Sequence, residues 1–259
     1  MTDNASRSRV QSVDRAALLL AELARADQSG RSLGDLAGAL GVARSTAHAL
    51  LRTLKFHGLV GEIKGPRFVL GTGLVRLGDL AARQFPLADL VRPALAALVE
   101  ETGMTARFAV PDDGVPVFTA KLDGGGPVRF QTPLGSREMA HSTATGKVFL
   151  ADLPEEGLRK VTDRTGLPQR ARATITDYES LVKELERVRE QGFAVDDEED
   201  LDGVICVAAG VRDQDGVLIG ALSLTDLKLG RSRGRLDEYG LVLGRHAREL
   251  ADRLGPARG

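Results

Sequence analysis

The shortages in this chain each close a route. It has a single cysteine, Cys206, which excludes an internal disulfide and any multi-cysteine zinc site. No two of its four histidines stand at a ligand spacing, so neither a metal nor a cofactor is expected. Tryptophan is absent and aromatic residues make up 4% of the chain. The longest apolar runs fall far below the roughly 18–20 residues that span a bilayer. The opening MTDNASRSRVQS lacks the apolar centre of a signal peptide. A cytoplasmic chain with no membrane partner is the expectation. Net charge is also nearly absent, at -1, but it is unevenly distributed. Residues 1–84 hold 12 Lys+Arg against 7 Asp+Glu, and residues 85–259 hold 23 against 29. A basic front and an acidic rear suit a nucleic-acid module joined to something else.

With 259 residues there is room for two domains. The most informative stretch is Ser32 to Val60, SLGDLAGALGVARSTAHALLRTLKFHGLV. Apolar residues recur at helical spacing on both sides of Gly41, the pattern of two short helices and one sharp turn. Ser32 with Asp35 makes a capping-box start. The second helix runs from Ala43 to His57 and presents Arg44, Ser45, Thr46, His48 and Arg52 outward, donors of the kind that reach phosphates and base edges. Val10 to Ala26 reads as a preceding helix. Leu59 to Leu70 reads as two strands around Lys64-Gly65-Pro66. Three helices and a hairpin predict a winged helix-turn-helix over residues 1–71. Thr72 to Gln84 reads as a linker helix with an apolar stripe, closing at residue 85.

From residue 86 onward the pattern changes. Helices are expected at Leu87–Gly103, Ser142–Leu153, Glu155–Thr165, Asp177–Gln191 and Arg235–Leu254. Strand-like runs cover Thr105–Val110, Val115–Leu122, Val128–Thr132, Val204–Arg212 and Val217–Thr225, joined by turns such as Asp213-Gln214-Asp215-Gly216. Hairpins with helices at each end predict an α+β domain on an antiparallel sheet over residues 86–259. Ser223 and Thr225, two apart on one strand, share a face. Polar residues on a buried strand face require partners, and a bound molecule would supply them.

The assembly resembles the IclR family of bacterial transcription regulators. The likeness runs from VQSVDRAALLLAEL through the reader helices and the wing GPRFVLGTGLVRLG. It continues through HSTATGKVFLA, GFAVDDEEDLDGVICVAAGV and GALSLTDL. It implies an N-terminal winged helix-turn-helix and a C-terminal effector domain similar to GAF and PAS sensors. It also implies dimers or dimers of dimers on double-stranded DNA with a palindromic operator, a small-molecule effector that is often an organic acid, and repression. By the same likeness the Ala144–Thr145 backbone cradles the ligand, with Asp196, Cys206, Ser223 and Thr225 around it. A helix start offers carboxylates free N–H groups and the positive end of the dipole.

On the DNA side, Arg44 suits bidentate contact to guanine, with Ser45 and Thr46 on phosphate or base edges. His48 and Arg52 suit phosphates. Lys64 and Arg67 in the wing, and Arg9 on the preceding arm, suit backbone or minor groove. Ala43 and Ala49 depart from the proline and arginine usual in the family. Glu138 departs too, and a water-facing position is expected for it because unpaired buried glutamate is rare. Phe118, Phe130 and Leu134 are expected to pack in the core, the alternative being an apolar wall for the ligand. The run Asp196 to Asp200 lacks the spacing of a calcium loop and is expected to be solvated apart from Asp196. The alternative function is a small-molecule enzyme built around His141 and Cys206, which lacks an orienting residue and an oxyanion constellation.

Overall fold

The structure is a computed structural model that describes residues 10–84, 87–126, 129–130, 133–229 and 233–254. The chain divides into two compact units, residues 1–85 and 86–259.

In the front unit, α1 (Gln11–Ala24), α2 (Leu33–Ala39) and α3 (Arg44–Phe56) precede the hairpin of β2 (Val60–Ile63) and β3 (Arg67–Leu70). The reciprocal bonds of a capping box start α2. The Ser32 hydroxyl accepts the Asp35 N–H at 3.2 Å, and the Asp35 carboxylate accepts the Ser32 N–H at 3.1 Å. Gly41 adopts φ +63° between α2 and α3, a left-handed turn that favours glycine. Ala47, Leu51 and Leu54 form the buried stripe of α3. Leu51 and Leu54 meet Leu19 and Leu23 of α1, Leu36 of α2, and Val60 and Phe68 of the hairpin. A two-residue strand, β1 (Arg31–Ser32), adds to the hairpin in the order β1-β3-β2, all antiparallel. The pattern of apolar residues carried no sign of β1. α4 (Gly73–Gln84) follows, and Val75, Leu77 and Leu80 on it are exposed.

In the rear unit, α5 (Leu87–Thr102) leads into β4 (Thr105–Asp112) and β5 (Val115–Leu122). Three helices follow, α6 (Ala144–Asp152), α7 (Glu155–Thr165) and α8 (Tyr178–Gln191). Then come β6 (Phe193–Asp197), β7 (Val204–Arg212), β8 (Leu218–Leu227) and α9 (Arg233–Leu254). The five strands pair antiparallel in the order β5-β4-β8-β7-β6, so the α+β expectation holds. The expected strand at Val128–Thr132 lies largely outside the described residues. Arg129 and Phe130, which are described, belong to no strand. β6, for which the sequence pattern predicts no strand, forms the sheet edge.

Alternation along the strands splits the sheet into two faces. Phe108, Val195, Val207, Leu222 and Leu224 pack with α5 and α9. Ala109, Ala194, Cys206, Ala208 and Ala221 turn the other way and meet Ala144, Val148 and Phe149 of α6. Small residues on this second face let α6 come close. At Gly220 on β8 a Cβ would lie 2.2 Å from the Phe108 ring, so only glycine fits there.

Candidate ligand cavity and DNA-facing helix

The first turn of α6 sits over the small-residue face. Thr143 caps it, its hydroxyl accepting the Gly146 N–H at 3.1 Å, and its carbonyl takes the Lys147 N–H at 3.0 Å. The N–H groups of Ala144 and Thr145 have no carbonyl one turn back within the helix. Below them the strand register sets a polar row across the sheet. Asp196 on β6 pairs with Cys206 on β7, Cys206 with Thr225 on β8, and Thr225 with Thr105 on β4. The adjacent row runs Ala208, Ser223, Arg107.

A cavity of about 200 Å³ opens between this face and the start of α6. The sheet contributes Arg107, Phe118, Asp196, Val204, Cys206 and Thr225. The start of α6 contributes Thr143 and Thr145, and the surrounding loops Phe130, Glu138, Asp200 and Leu201. Thus four of the six expected ligand positions, Thr145, Asp196, Cys206 and Thr225, lie on its wall. Ala144 and Ser223 are fully buried beside it, and among the described residues the Ser223 hydroxyl has no hydrogen-bond partner.

The cavity chemistry follows from burial. Removal from water pushes the Asp196 carboxyl up to about 8, although its Oδ1 accepts the N–H groups of Glu199 at 2.8 Å and Asp200 at 3.2 Å. Burial also pushes the Cys206 thiol up to about 12, and the Thr225 hydroxyl donates to its sulfur at 3.2 Å. Such a thiol stays protonated and inert at neutral pH. His141 is 1% exposed, its Nε2–H donates to the Pro168 carbonyl at 3.0 Å, and burial lowers its pKa. It does not line the cavity with Cys206, so the two do not form a nucleophile and base.

Three sequence expectations are corrected here. Glu138 does not face open water: it lines the cavity, and burial raises its pKa. Phe118 packs in the core as expected and also walls the cavity, whereas Phe130 walls the cavity and Leu134, 60% exposed, takes no part in either. The acidic run is not simply solvated. The Glu199 carboxylate accepts the Lys147 ammonium at 2.7 Å, and that ammonium, fully buried, also reaches Glu184 at 3.2 Å and the Val195 carbonyl. Asp200 takes the Ser142 hydroxyl at 2.7 Å and the Arg170 Nε–H at 3.3 Å. Among the described residues no cluster of side chains is arranged to hold a metal ion. The sequence reading missed Arg107. Its local signal was weak: a lone cation between Thr105 and Ala109 in the otherwise apolar run Ala106 to Pro111, where the usual rule sends an isolated charge to water.

In the front unit Arg44, Ser45, His48 and Arg52 are exposed along one side of α3, Thr46 is half-buried, and Lys64 is exposed at the wing turn. Ala43 provides no side-chain cap, which leaves the first N–H groups of α3 open. The Arg44 guanidinium lies by the first turn of α2, where a Cβ on Gly34 would come within 3.0 Å of it. Lys55 is tied to Glu62 on β2. Arg67 differs from the others: its Nε–H and an Nη2–H donate to the carbonyls of Ser29 and Gly30 at 2.7 and 2.8 Å, so it straps β3 to the turn before β1. Arg9 lies outside the described residues.

A winged helix-turn-helix joined in one chain to a sheet domain with a small polar cavity is the build of a DNA-binding regulator with a small-molecule module. Residues 12–62 match the IclR helix-turn-helix domain and residues 80–251 the C-terminal domain of bacterial IclR regulators. The chain belongs to the IclR family, whose members are transcription regulators and not enzymes. It is similar to the transcriptional repressor IclR of Escherichia coli, 30% identical over 252 residues that cover 96% of this chain and 92% of that one. The crystal structure of Thermotoga maritima IclR superposes with a TM-score of 0.74 at 27% identity, covering 95% of this chain and 100% of that one. A complex of the Acinetobacter PobR inducer-binding domain, a double mutant, with 3-hydroxybenzoic acid superposes with a TM-score of 0.58 at 29% identity, covering 63% and 97%.

Proposed function

We propose that the chain is a cytoplasmic repressor whose rear unit binds a small organic acid and thereby changes the affinity of the front unit for an operator. The observation that carries the ligand half is the cavity. Its wall combines open N–H groups at a helix start, hydroxyls on Thr143, Thr145 and Thr225, and a carboxyl that burial keeps protonated at pH 7. A protonated Asp196 donates to a carboxylate or keto oxygen, where an ionised one would repel it. Ala144 and Thr145 hold the acid through their N–H groups, Thr225 and Cys206 line its far side, and Ser223 supports them from beneath. The acid held by the PobR domain, and the repressor name of the E. coli relative, agree with this reading.

The DNA half rests on the open side of α3. In this reading Arg44, Ser45 and Thr46 meet base edges, and His48, Arg52, Lys64 and Arg9 meet phosphates. Arg67 acts as a strut that sets the wing. Residues 1–71 form the reader, 72–85 the linker helix and 86–259 the effector domain. The bare apolar side of α4 suits a homodimer, or a dimer of dimers, on a palindromic site. The test is competition binding with full-length protein on a duplex selected from a random library. Arg44→Ala should lower discrimination against a mismatched duplex by roughly 1–3 kcal/mol. Arg52→Ala should weaken all duplexes alike and flatten the salt dependence by about one counterion. If both variants keep wild-type affinity and selectivity, α3 is not the reader.

A further inference from the structure

The reading above gives the cavity one anion-binding device, the start of α6, and the same cavity holds a second. Arg107 enters from the middle of β4 and is 6% exposed. Its guanidinium carbon lies 5.2 Å from the Phe118 ring centre and 5.8 Å from that of Phe130. Among the described residues its Nε has no hydrogen-bond partner and no carboxylate stands within ion-pair distance. The acidic groups around it are engaged or neutral. Asp200 is bonded to Ser142 and Arg170, and Asp196 is protonated at pH 7. Glu138, whose carboxyl burial pushes up while the field of Arg107 opposes that rise, is the competitor for this cation among the described residues. A buried guanidinium without a counter-charge is unfavourable, which makes the site a strong receptor for an incoming anion. Thr145 lines the same cavity and is fully buried, and among the described residues its hydroxyl is likewise unpartnered, beside the open N–H groups of α6.

We infer that the effector is a small dicarboxylate, one carboxylate seated on the Ala144 and Thr145 N–H groups and the other paired with the Arg107 guanidinium. The inference rests on the effector reading above and narrows it. A mono-acid would satisfy one device and leave the other unpaired. The Phe118 and Phe130 rings stand within cation–π reach of the guanidinium, and a guanidinium offers a carboxylate a bidentate contact. A volume of about 200 Å³, at about 30 Å³ per water molecule, holds roughly seven waters, the scale of a short linear diacid.

The experiment is calorimetric titration of the full-length protein with succinate, glutarate and adipate, each against its own monoamide, repeated on Arg107→Gln and Arg107→Lys. Wild type should bind at least one diacid roughly 10–100-fold more tightly than its monoamide, the value of one charge-assisted pair. Arg107→Gln should bring the two to near parity, and Arg107→Lys should keep part of the difference. If a monoamide binds wild type as tightly as its diacid, or the difference survives in Arg107→Gln, the dicarboxylate inference is overturned while the effector reading stands. If no acid of either kind binds wild type, both fall. Should Arg107→Gln fail to melt cooperatively, the wild-type pair and Arg107→Lys decide the matter alone.

Discussion

Asp196 shows most clearly how one residue couples burial to function. In the unfolded chain its carboxyl titrates near 3.8, and in the fold near 8. Between those values the folded state holds a proton that the unfolded state has lost. Stability therefore falls as pH rises from about 4 to about 8, and levels off above, by on the order of 1 kcal/mol per pH unit. Glu138 and Glu199, also raised by burial, add a slope of the same sign. Asp196→Asn keeps an oxygen for the Glu199 and Asp200 N–H groups and removes the titration. Urea unfolding at pH 5, 6.5 and 8 should show a flatter profile and a variant more stable than wild type at pH 8. An unchanged slope would contradict the burial argument. Residues such as Ser223 and Thr225 were legible because alternation on a strand betrays a polar side chain on a buried face. Arg107 and Glu138 were not, because the usual rule sends isolated charges to water. Only the cavity, formed by segments far apart in sequence, reverses that rule.

At the scale of elements, Lys147 is the tie that seats the cavity. Its ammonium joins α6 to Glu184 on α8, to the Val195 carbonyl on β6, and to Glu199 just past that strand. Removing it leaves two carboxylates facing each other in a buried place. Lys147→Ala should lose about 3–5 kcal/mol in a denaturant titration. A loss below about 1 kcal/mol would mean the site behaves like an exposed pair. Helix boundaries were readable where local chemistry marks them. Ser32 with Asp35 opens α2, Asp177 caps α8 through the Ser180 N–H at 2.8 Å, and Gly192 closes it with φ +80°. β1 and β6 were not readable, because neither owes its conformation to its own residues. Arg31 and Ser32 are extended by pairing with β3, and Phe193 to Asp197 by pairing with β7. An apolar triplet running into five acids looks like a loop until a partner strand is beside it. Arg67 is the same lesson for a side chain: a wing arginine suits DNA, yet the carbonyls of Ser29 and Gly30 are nearer.

For the whole molecule, two compact units share one chain, with the proposed reader helix α3 in the first and the cavity in the second. The central claim is that occupancy of the cavity is worth free energy at the DNA surface, typically about 1–3 kcal/mol for such linkage. Reciprocity requires the operator to change acid affinity by the same factor. The direct measurement is fluorescence anisotropy of full-length protein on a library-selected duplex, at fixed salt and pH 7, with and without a saturating diacid that calorimetry has shown to bind. The dissociation constant should rise by roughly 5–150-fold with wild type, and stay put with Arg107→Gln at the same diacid concentration. A DNA affinity that is identical with the cavity filled and empty would contradict the account.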